Sequence, residues 1–167
     1  EVWVPDSASS TDTLAGALAH GGSLDHRVNY RGPLSRFIIH HPSSIINYST
    51  YATIAILSGL EPQRTIFEQE LVNRFRTSNQ SLLIVRGKIG GPATSTHIGS
   101  VTLVPYLQDE ELLYLMQAAT TIIVRSGYST IMDLAVLGLL GKAEFHPTPG
   151  QSEQEYLAAK LIGKFNL

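Results

Sequence analysis

Residues 120–135, with the sequence TTIIVRSGYSTIMDLA, place arginine, hydroxyl and carboxylate side chains around a glycine turn. The run Ile122-Ile123-Val124 is too short for a helix and is β-branched, which is typical of a buried strand. After the break at Arg125-Ser126-Gly127, apolar residues recur at helical spacing. We therefore predict a strand, a tight turn and a helix, with Ser126 as the N-cap and Ser129 and Thr130 in the first turn.

A helix that begins at the end of a parallel strand presents free N–H groups and the positive end of its dipole, which favours an anion there, above all a phosphate. Asp133 lies about one and two-thirds turns into the helix. A carboxylate at this position is placed to accept hydrogen bonds from the two hydroxyls of a ribose. The alternatives are an ordinary βα turn that binds nothing and a solvated helix acid at Asp133, and the residues of this stretch leave them open.

Gly127-Tyr128-Ser129 also matches half of the G-x-S-x-G nucleophile elbow. Position 131 is Ile instead of the second glycine, and the general base would have to be His146 or another histidine. A serine hydrolase is therefore a minor alternative. Ser129 is better explained as a phosphate ligand or as a plain first-turn residue.

The stretch from His146 to Gln154 contains two prolines and a glycine, which stiffen it. Ser152 is predicted to cap the last helix, and Glu153 and Gln154 fall in its first turn. An acid beside an amide offers both acceptors and donors, which suits the hydroxyls of a sugar. Ordinary first-turn chemistry, in which acids favour the helix dipole, is the alternative.

From Tyr51 onward, short apolar runs alternate with helical patterns. Strands are predicted at 51–57, 82–85, 101–104, 122–124 and 143–145, a glycine-rich loop at 87–99, and helices starting near Pro62, at Asp109 as N-cap, at Ser129 and at Gln151. This alternation predicts an α/β fold, a Rossmann-like doubly wound parallel sheet of about five or six strands. The loops 58–62, 105–108, 125–130 and 146–154 would share one edge of that sheet, so their residues can converge on a ligand.

The first 50 residues lack strong periodicity and are predicted to be an interdomain connector, followed by one domain at 51–167. Within the connector we expect short strands at 2–4 and 28–30, a helix at 13–20, surface histidines at His40 and His41, and a loop at 42–50. The chain starts at Glu1 with a strand-like segment. We therefore expect a fragment whose first strand is the last one of a missing N-terminal domain.

The composition excludes several classes of protein. The chain has 167 residues, a formal net charge of −2 and no cysteine, so disulfides, thiolate metal sites and thiol catalysis are excluded and no nucleic-acid partner is indicated. No apolar run approaches the roughly 20 residues of a membrane-spanning helix. The lack of cysteine favours a reducing compartment, and we expect a cytoplasmic protein. The six histidines show no metal-ligand spacing.

The run VRSGYSTIMDLAVLG followed by HPTPGQSEQEYLA resembles the C-terminal, donor-binding half of GT-B glycosyltransferases. The nearest match is the family 28 type, related to the peptidoglycan N-acetylglucosaminyltransferase that uses UDP-GlcNAc. The resemblance covers about residues 28–165 and is most specific at 125–133 and 146–158. It departs from the family at 58–62, where the family has a Gly-Gly-Ser type loop and this chain has Glu61.

The resemblance implies a role for each matching position. The turn at Arg125 and the residues Ser126, Gly127, Ser129 and Thr130 would meet the diphosphate, and Asp133 would hold the ribose. Glu153 and Gln154 would contact the donor sugar. Tyr106 and Leu107 would hold the uracil, largely through backbone atoms. Arg36, in the segment Gly32-Pro33-Leu34-Ser35-Arg36, is a candidate phosphate contact. No cofactor and no metal are expected.

The resemblance also implies the function. Residues 51–167 would be a nucleotide-sugar donor-binding domain for a UDP-GlcNAc-like donor. The full-length protein would transfer the sugar to an acceptor, either a sugar or a lipid-linked sugar. Catalytic residues stay unassigned, and we expect the fragment alone to bind without turnover. The alternatives are a non-catalytic nucleotide-sugar-binding subunit and a UDP-sugar 2-epimerase-like enzyme. Peripheral membrane contact through the missing domain is left open.

Overall fold

The computed structural model describes residues 1–20, 27–39, 50–88 and 94–165. His40, His41 and nearly all of the predicted loop at 42–50 lie outside these residues. Contacts divide the chain into two compact units, and each is described by itself. The first unit comprises Glu1–Ile39, Ser126–Gly141 and Pro147–Leu167, and the second comprises His40–Arg125 and Lys142–His146. The predicted division at residue 50 stays a prediction.

In chain order, the strands are β1 Val2–Val4, β2 Val28–Tyr30, β3 Thr53–Ile56, β4 Leu82–Val85, β5 Thr96–Ile98, β6 Val101–Val104, β7 Thr121–Val124 and β8 Ala143–Phe145. The α-helices are α1 Ala17–His20, α2 Gln63–Phe75, α3 Asp109–Ala118, α4 Tyr128–Val136 and α5 Ser152–Phe165. The described residues also contain two short 3₁₀ helices, at Arg36–Ile39 and Leu140–Lys142.

A mostly parallel sheet of six strands, in the order β5-β6-β4-β3-β7-β8, forms the second unit. Among the strand pairs that the structure describes in this sheet, β5–β6 alone is antiparallel. The central strands are apolar and buried, as all four residues of β4 illustrate, because a parallel sheet is covered on both faces. The order reverses at β3, which has β4 on one side and β7 on the other. The predicted α/β, Rossmann-like fold is therefore confirmed, and the switch point lies between β3 and β7.

One strand was missed by the sequence-based prediction. Residues 96–98 fall in the stretch predicted as a glycine-rich loop, yet they form β5, which pairs His97 with Thr102 of β6. The turn between these strands uses Gly99 at φ 58°. A side chain at Gly99 would collide with the carbonyl oxygen of Arg76. The strand escaped prediction because three exposed residues carry no apolar alternation.

Several predicted helix starts need correction. Ser152, predicted as the cap of the last helix, is the first residue of α5. Asp109 is the first residue of α3, and its N-cap is Gln108. Pro62 is the N-cap of α2 instead of its first residue. The helix predicted at 13–20 shortens to α1. Its first turn is missing because the hydroxyl of Thr13 donates to the carboxylate of Asp6 and accepts from the amide of Gly16 at 2.9 Å.

The carboxylate of Asp6 organises the start of the first unit, where β1 and β2 pair in parallel. Only 1% of Asp6 is exposed. Besides the Thr13 hydroxyl, it accepts the backbone amides of Ser7, Leu14 and Ala15 at 2.7, 2.9 and 2.9 Å. Burial raises the pKa of this carboxyl, but the hydrogen bonds outweigh burial and leave the pKa below its ordinary value.

Candidate functional site

The N-terminus of α4 lies where the sequence predicted it, but Ser126 does not cap it. The N-cap is Gly127, without a side-chain bond. Ser126 is fully buried, and its hydroxyl donates to the backbone carbonyl of Gln154 at 2.8 Å. This bond ties the turn before α4 to the start of α5. The prediction of Ser126 as the N-cap of α4 was wrong because its buried hydroxyl donates to α5, another element of the same unit.

The first turn of α4 presents two further hydroxyls. Ser129 is exposed and Thr130 is half-buried. The amide of Ile131 donates to the carbonyl of Gly127 at 3.1 Å, so the amides that precede Ile131 lie at the open end of the helix. This end carries partial positive charge and can accept an anion.

Asp133 is held by two residues from the 32–36 segment. The Ser35 hydroxyl donates to Oδ1 of Asp133 at 2.6 Å, and Nε of Arg36 lies 3.6 Å from Oδ2. Ser35 also accepts the amide of Phe37 at 3.1 Å. The structure thus brings together Arg36 and Asp133, which the sequence had assigned to neighbouring parts of one ligand.

The loop before α5 is braced by Gln154. Its side-chain oxygen accepts the amide of the buried Thr148 at 2.9 Å, and its amide nitrogen donates to the side chain of Gln151. Both ends of the amide therefore hold the loop. Glu153 is exposed, and it lies at the rim of a cavity.

That cavity, in the first unit, has a volume of about 380 Å³ and mostly apolar walls. Tyr128 lines it and donates its hydroxyl to the carbonyl of Pro5 at 2.8 Å. Burial, together with the nearby Asp6 carboxylate, raises the pKa of Tyr128, so the phenol stays protonated. The lining residues are Val4, Pro5, Ala15, Leu18, Ala19, Tyr128 and Glu153.

Arg125 follows β7 in the second unit and is 5% exposed. Its guanidinium lies 4.0 Å above the ring of Phe67 and donates to the carbonyls of His146 and Gln63 at 3.3 and 3.4 Å. Burial lowers its pKa, although Glu70 acts in the opposite direction. Arginine keeps its charge in proteins. Arg125 is therefore a buried cation held by an aromatic face and backbone carbonyls.

Tyr106 and Leu107 follow β6, also in the second unit. Tyr106 is 37% exposed, and Leu107 is half-buried. The carbonyl of the preceding Pro105 accepts the amide of Lys88 at 2.8 Å, which joins this turn to the segment after β4. The turn after β6 thus leaves part of the Tyr106 side chain exposed to solvent.

Glu61 occupies the N-terminal end of α2. Its carboxylate accepts the hydroxyl and the amide of Thr65 at 2.7 and 3.1 Å, and it pairs with Arg64 at 2.9 Å. The Thr65 hydroxyl and Arg64 lower the pKa of Glu61 to about 2. A negative charge already occupies this helix end, so a second anion would be repelled there.

His146, the general base that a serine hydrolase would require, is already paired with a carboxylate. Nε2 of His146 lies 2.7 Å from Oε1 of Glu144, and the same oxygen accepts a hydrogen bond from Arg74 at 2.8 Å. Glu144, His146 and Arg74 thus form a polar cluster within the second unit. His146 belongs to this unit and Ser129 to the first.

The sequence-based analysis missed Ser35 and Asp6 as organising residues. The sequence assigned no role to Ser35, which belongs to the segment that ends at Arg36. Nothing in the neighbouring residues predicts that its hydroxyl donates to Asp133. The sequence around Asp6 gave a weak indication of its role, since an aspartate before a run of Ser and Thr often accepts hydrogen bonds from nearby backbone amides.

No family model matches the chain, and no curated protein is detectably similar to it. The GT-B resemblance therefore depends on the sequence motifs themselves. Across the described ranges, no cluster of three or more His, Asp or Glu side chains could hold a metal ion. No helix among those residues is long and apolar enough to cross a membrane.

Proposed function

We propose that this chain is the donor-binding part of a GT-B glycosyltransferase of the family 28 type. It binds a UDP-GlcNAc-like nucleotide sugar, and the longer protein transfers that sugar to a sugar or lipid-linked sugar acceptor. The observation that carries the proposal is the connection at the switch point of the sheet. There, β7 leads through Arg125-Ser126-Gly127 directly into α4, and Asp133 follows within two turns.

The sheet order supports a nucleotide as the ligand. In open α/β sheets, ligands bind beyond the carboxyl ends of the strands where the strand order reverses. The switch-point strand β7 ends at Val124, and the helix that follows it starts with a turn rich in hydroxyls. A diphosphate suits the open end of such a helix.

The residues of the first unit support a ribose beside that phosphate. Asp133 supplies a carboxylate whose side chain is 20% exposed, and Arg36 supplies a cation at the same place. Ser129 and Thr130 add hydroxyl donors in the first turn of α4. Helix dipole and arginine together supply the positive potential that a departing diphosphate needs.

The proposal is tested by calorimetric titration of the chain with UDP, UDP-GlcNAc and ADP. We expect both uridine nucleotides to bind and ADP to bind more weakly, because a donor site of the family 28 type selects uracil. Asp133→Asn should weaken UDP at least about tenfold, since it removes a charged acceptor of ribose hydroxyls.

Asp12→Asn is the matched control, because Asp12 is an exposed acid of the same unit outside the described site. It should leave the affinity for UDP unchanged. Absence of binding by both uridine nucleotides would contradict the proposal. Binding that Asp133→Asn does not alter would contradict the placement of the ribose.

A further inference from the structure

We propose that the cavity of the first unit is a ligand site of its own, which binds a small amphipathic cation. The apolar walls hold the body of this ligand, a phenylalkyl group or a similar one, and the carboxylate of Glu153 pairs with its ammonium head. The inference goes beyond the proposed function and does not rest on it. The resemblance to GT-B enzymes assigns Glu153 to a donor sugar, whereas the cavity beside Glu153 suits a ligand of different chemistry.

The walls of the cavity suit an apolar body. The volume of about 380 Å³ falls within the roughly 300–1,000 Å³ of pockets that bind small molecules. Ala15 in the wall is buried, whereas Leu18 is 54% exposed. A ligand body that covers Leu18 removes further apolar surface from water, and this favours binding. The cavity therefore offers a hydrophobic contribution that the protein does not use by itself.

The cavity is preformed, because hydrogen bonds hold the backbone of its walls. The buried carboxylate of Asp6 accepts the amide of Ala15 at 2.9 Å. The hydroxyl of Tyr128 donates to the carbonyl of Pro5 at 2.8 Å, and this bond ties the first residue of α4 to the segment after β1. Walls that are already ordered lose little conformational entropy when a ligand binds.

The charges around the cavity favour a cation. Glu153 alone is charged among the described residues that line it, and no hydrogen bond or ion pair joins Glu153 to another described residue. The Asp6 carboxylate near Tyr128 adds negative potential. The only hydroxyl proton of Tyr128 is already donated, so its oxygen can only accept. Both polar side chains of the described wall are thus acceptors, and they suit a donor head.

An ammonium head fits these acceptors better than a hydroxyl or a carboxylate does. It forms a charge-assisted hydrogen bond with Glu153, which is stronger than the bond of a neutral hydroxyl. A carboxylate head would meet a like charge and is repelled. Because Glu153 is exposed, water and salt screen part of the attraction. We therefore expect an advantage of about three- to tenfold for the ammonium over the hydroxyl.

Three probes with the same body and different heads test the site. Phenylbutylammonium, phenylbutanol and phenylbutanoate are titrated at pH 7 into the 167-residue chain, and two-dimensional ¹H–¹⁵N NMR measures the affinities. The ammonium should bind most tightly, the alcohol about three- to tenfold more weakly and the carboxylate most weakly. The amide signals of Ala15 and Leu18 should shift with each probe that binds.

Glu153→Gln separates the head from the body, because it removes the charge and keeps the size of the side chain. It should abolish the preference for the ammonium over the alcohol and leave the affinity for the alcohol unchanged. Glu155→Gln is the matched control, since Glu155 is an exposed acid in the first turn of the same helix and does not line the cavity. It should change none of the three affinities.

Leu18→Ala tests the apolar wall. It should weaken all the probes by a similar factor, about two- to fivefold, because it shortens a surface that their common body covers. Thermal melting checks that each variant is folded. Equal affinities for the three heads, a preference for the ammonium that survives in Glu153→Gln, or affinities that Leu18→Ala leaves unchanged would each overturn the proposal. Failure of the ammonium to bind the wild type would overturn it as well.

Discussion

Several polar side chains assigned to the ligand have partners inside the protein. Ser126 donates to Gln154, Gln154 holds Thr148, and Asp133 accepts from Ser35. These hydrogen bonds fix the positions of the side chains. They differ in how many hydrogen-bonding sites they leave for a ligand. A carboxylate keeps further lone pairs when one is used, whereas the single proton of the Ser126 hydroxyl is already donated. Asp133 is therefore the more accessible of the two to a nucleotide.

The two serines on either side of the α4 N-cap, Ser126 and Ser129, should differ in their effect on stability. Ser126→Ala removes a buried hydrogen bond and leaves the carbonyl of Gln154 without that donor, which should lower the free energy of unfolding by about 1–2 kcal/mol. Ser129→Ala, at an exposed position, should change it by less than about 0.5 kcal/mol. Urea unfolding followed by circular dichroism measures both. Equal losses would contradict the structural role assigned to Ser126.

Asp6 should make the stability of the protein depend on acid pH. A carboxyl whose pKa is lowered in the folded state stabilises the fold above its unfolded pKa, about 3.9. That contribution is lost as the pH falls through the folded value. At pH 7, Asp6→Asn should cost about 2 kcal/mol, because charged hydrogen bonds to a buried group are lost.

Unfolding by urea at pH 7 and at pH 3 tests this dependence. The difference between wild type and Asp6→Asn should narrow at the lower pH. Asp12→Asn, at an exposed acid of the same unit, should differ little from wild type at pH 7. If the difference in free energy of unfolding between wild type and Asp6→Asn is the same at both pH values, the charge of Asp6 does not stabilise the segment that it binds.

At the level of elements, strands were predicted well and helix starts less well. The central strands β3, β4, β6 and β7 are short runs of buried, mostly β-branched or leucine residues, and this pattern is visible in the sequence. The start of α4 was predicted within one residue, but its cap was not. A cap depends on which acceptor a hydroxyl finds, and Ser126 finds one on α5, far along the chain.

The hairpin of β5 and β6 gives a prediction about its turn. Gly99→Ala should destabilise the protein by at least about 2 kcal/mol, because Gly99 has φ 58° and its added carbon would meet the Arg76 carbonyl. Gly141→Ala is the matched control, since nothing lies within 4 Å of the position that its added carbon would take. Thermal melting compares them. A Gly99 variant as stable as the control would contradict the tight packing of this turn.

At the level of the whole molecule, the sequence predicted the kind of fold and the turns at which polar residues gather. It did not predict their partners. The contacts of Arg36 and Ser35 with Asp133, and of Arg125 with Phe67, join residues that are distant along the chain. No local pattern encodes such a contact. Such an interaction is set only when packing decides which donor meets which acceptor.

The position of β3 in the middle of the sheet has a consequence for protein synthesis. One edge of β3 pairs with β4, the next strand along the chain, and the other edge pairs with β7, which leaves the ribosome only after β4, β5, β6 and α3. Until then, the second edge of β3, whose residues Thr53 to Ala55 are buried in the folded protein, stays open, and open apolar edges recruit other chains. The nascent polypeptide is therefore most vulnerable to aggregation between the translation of residues 56 and 121.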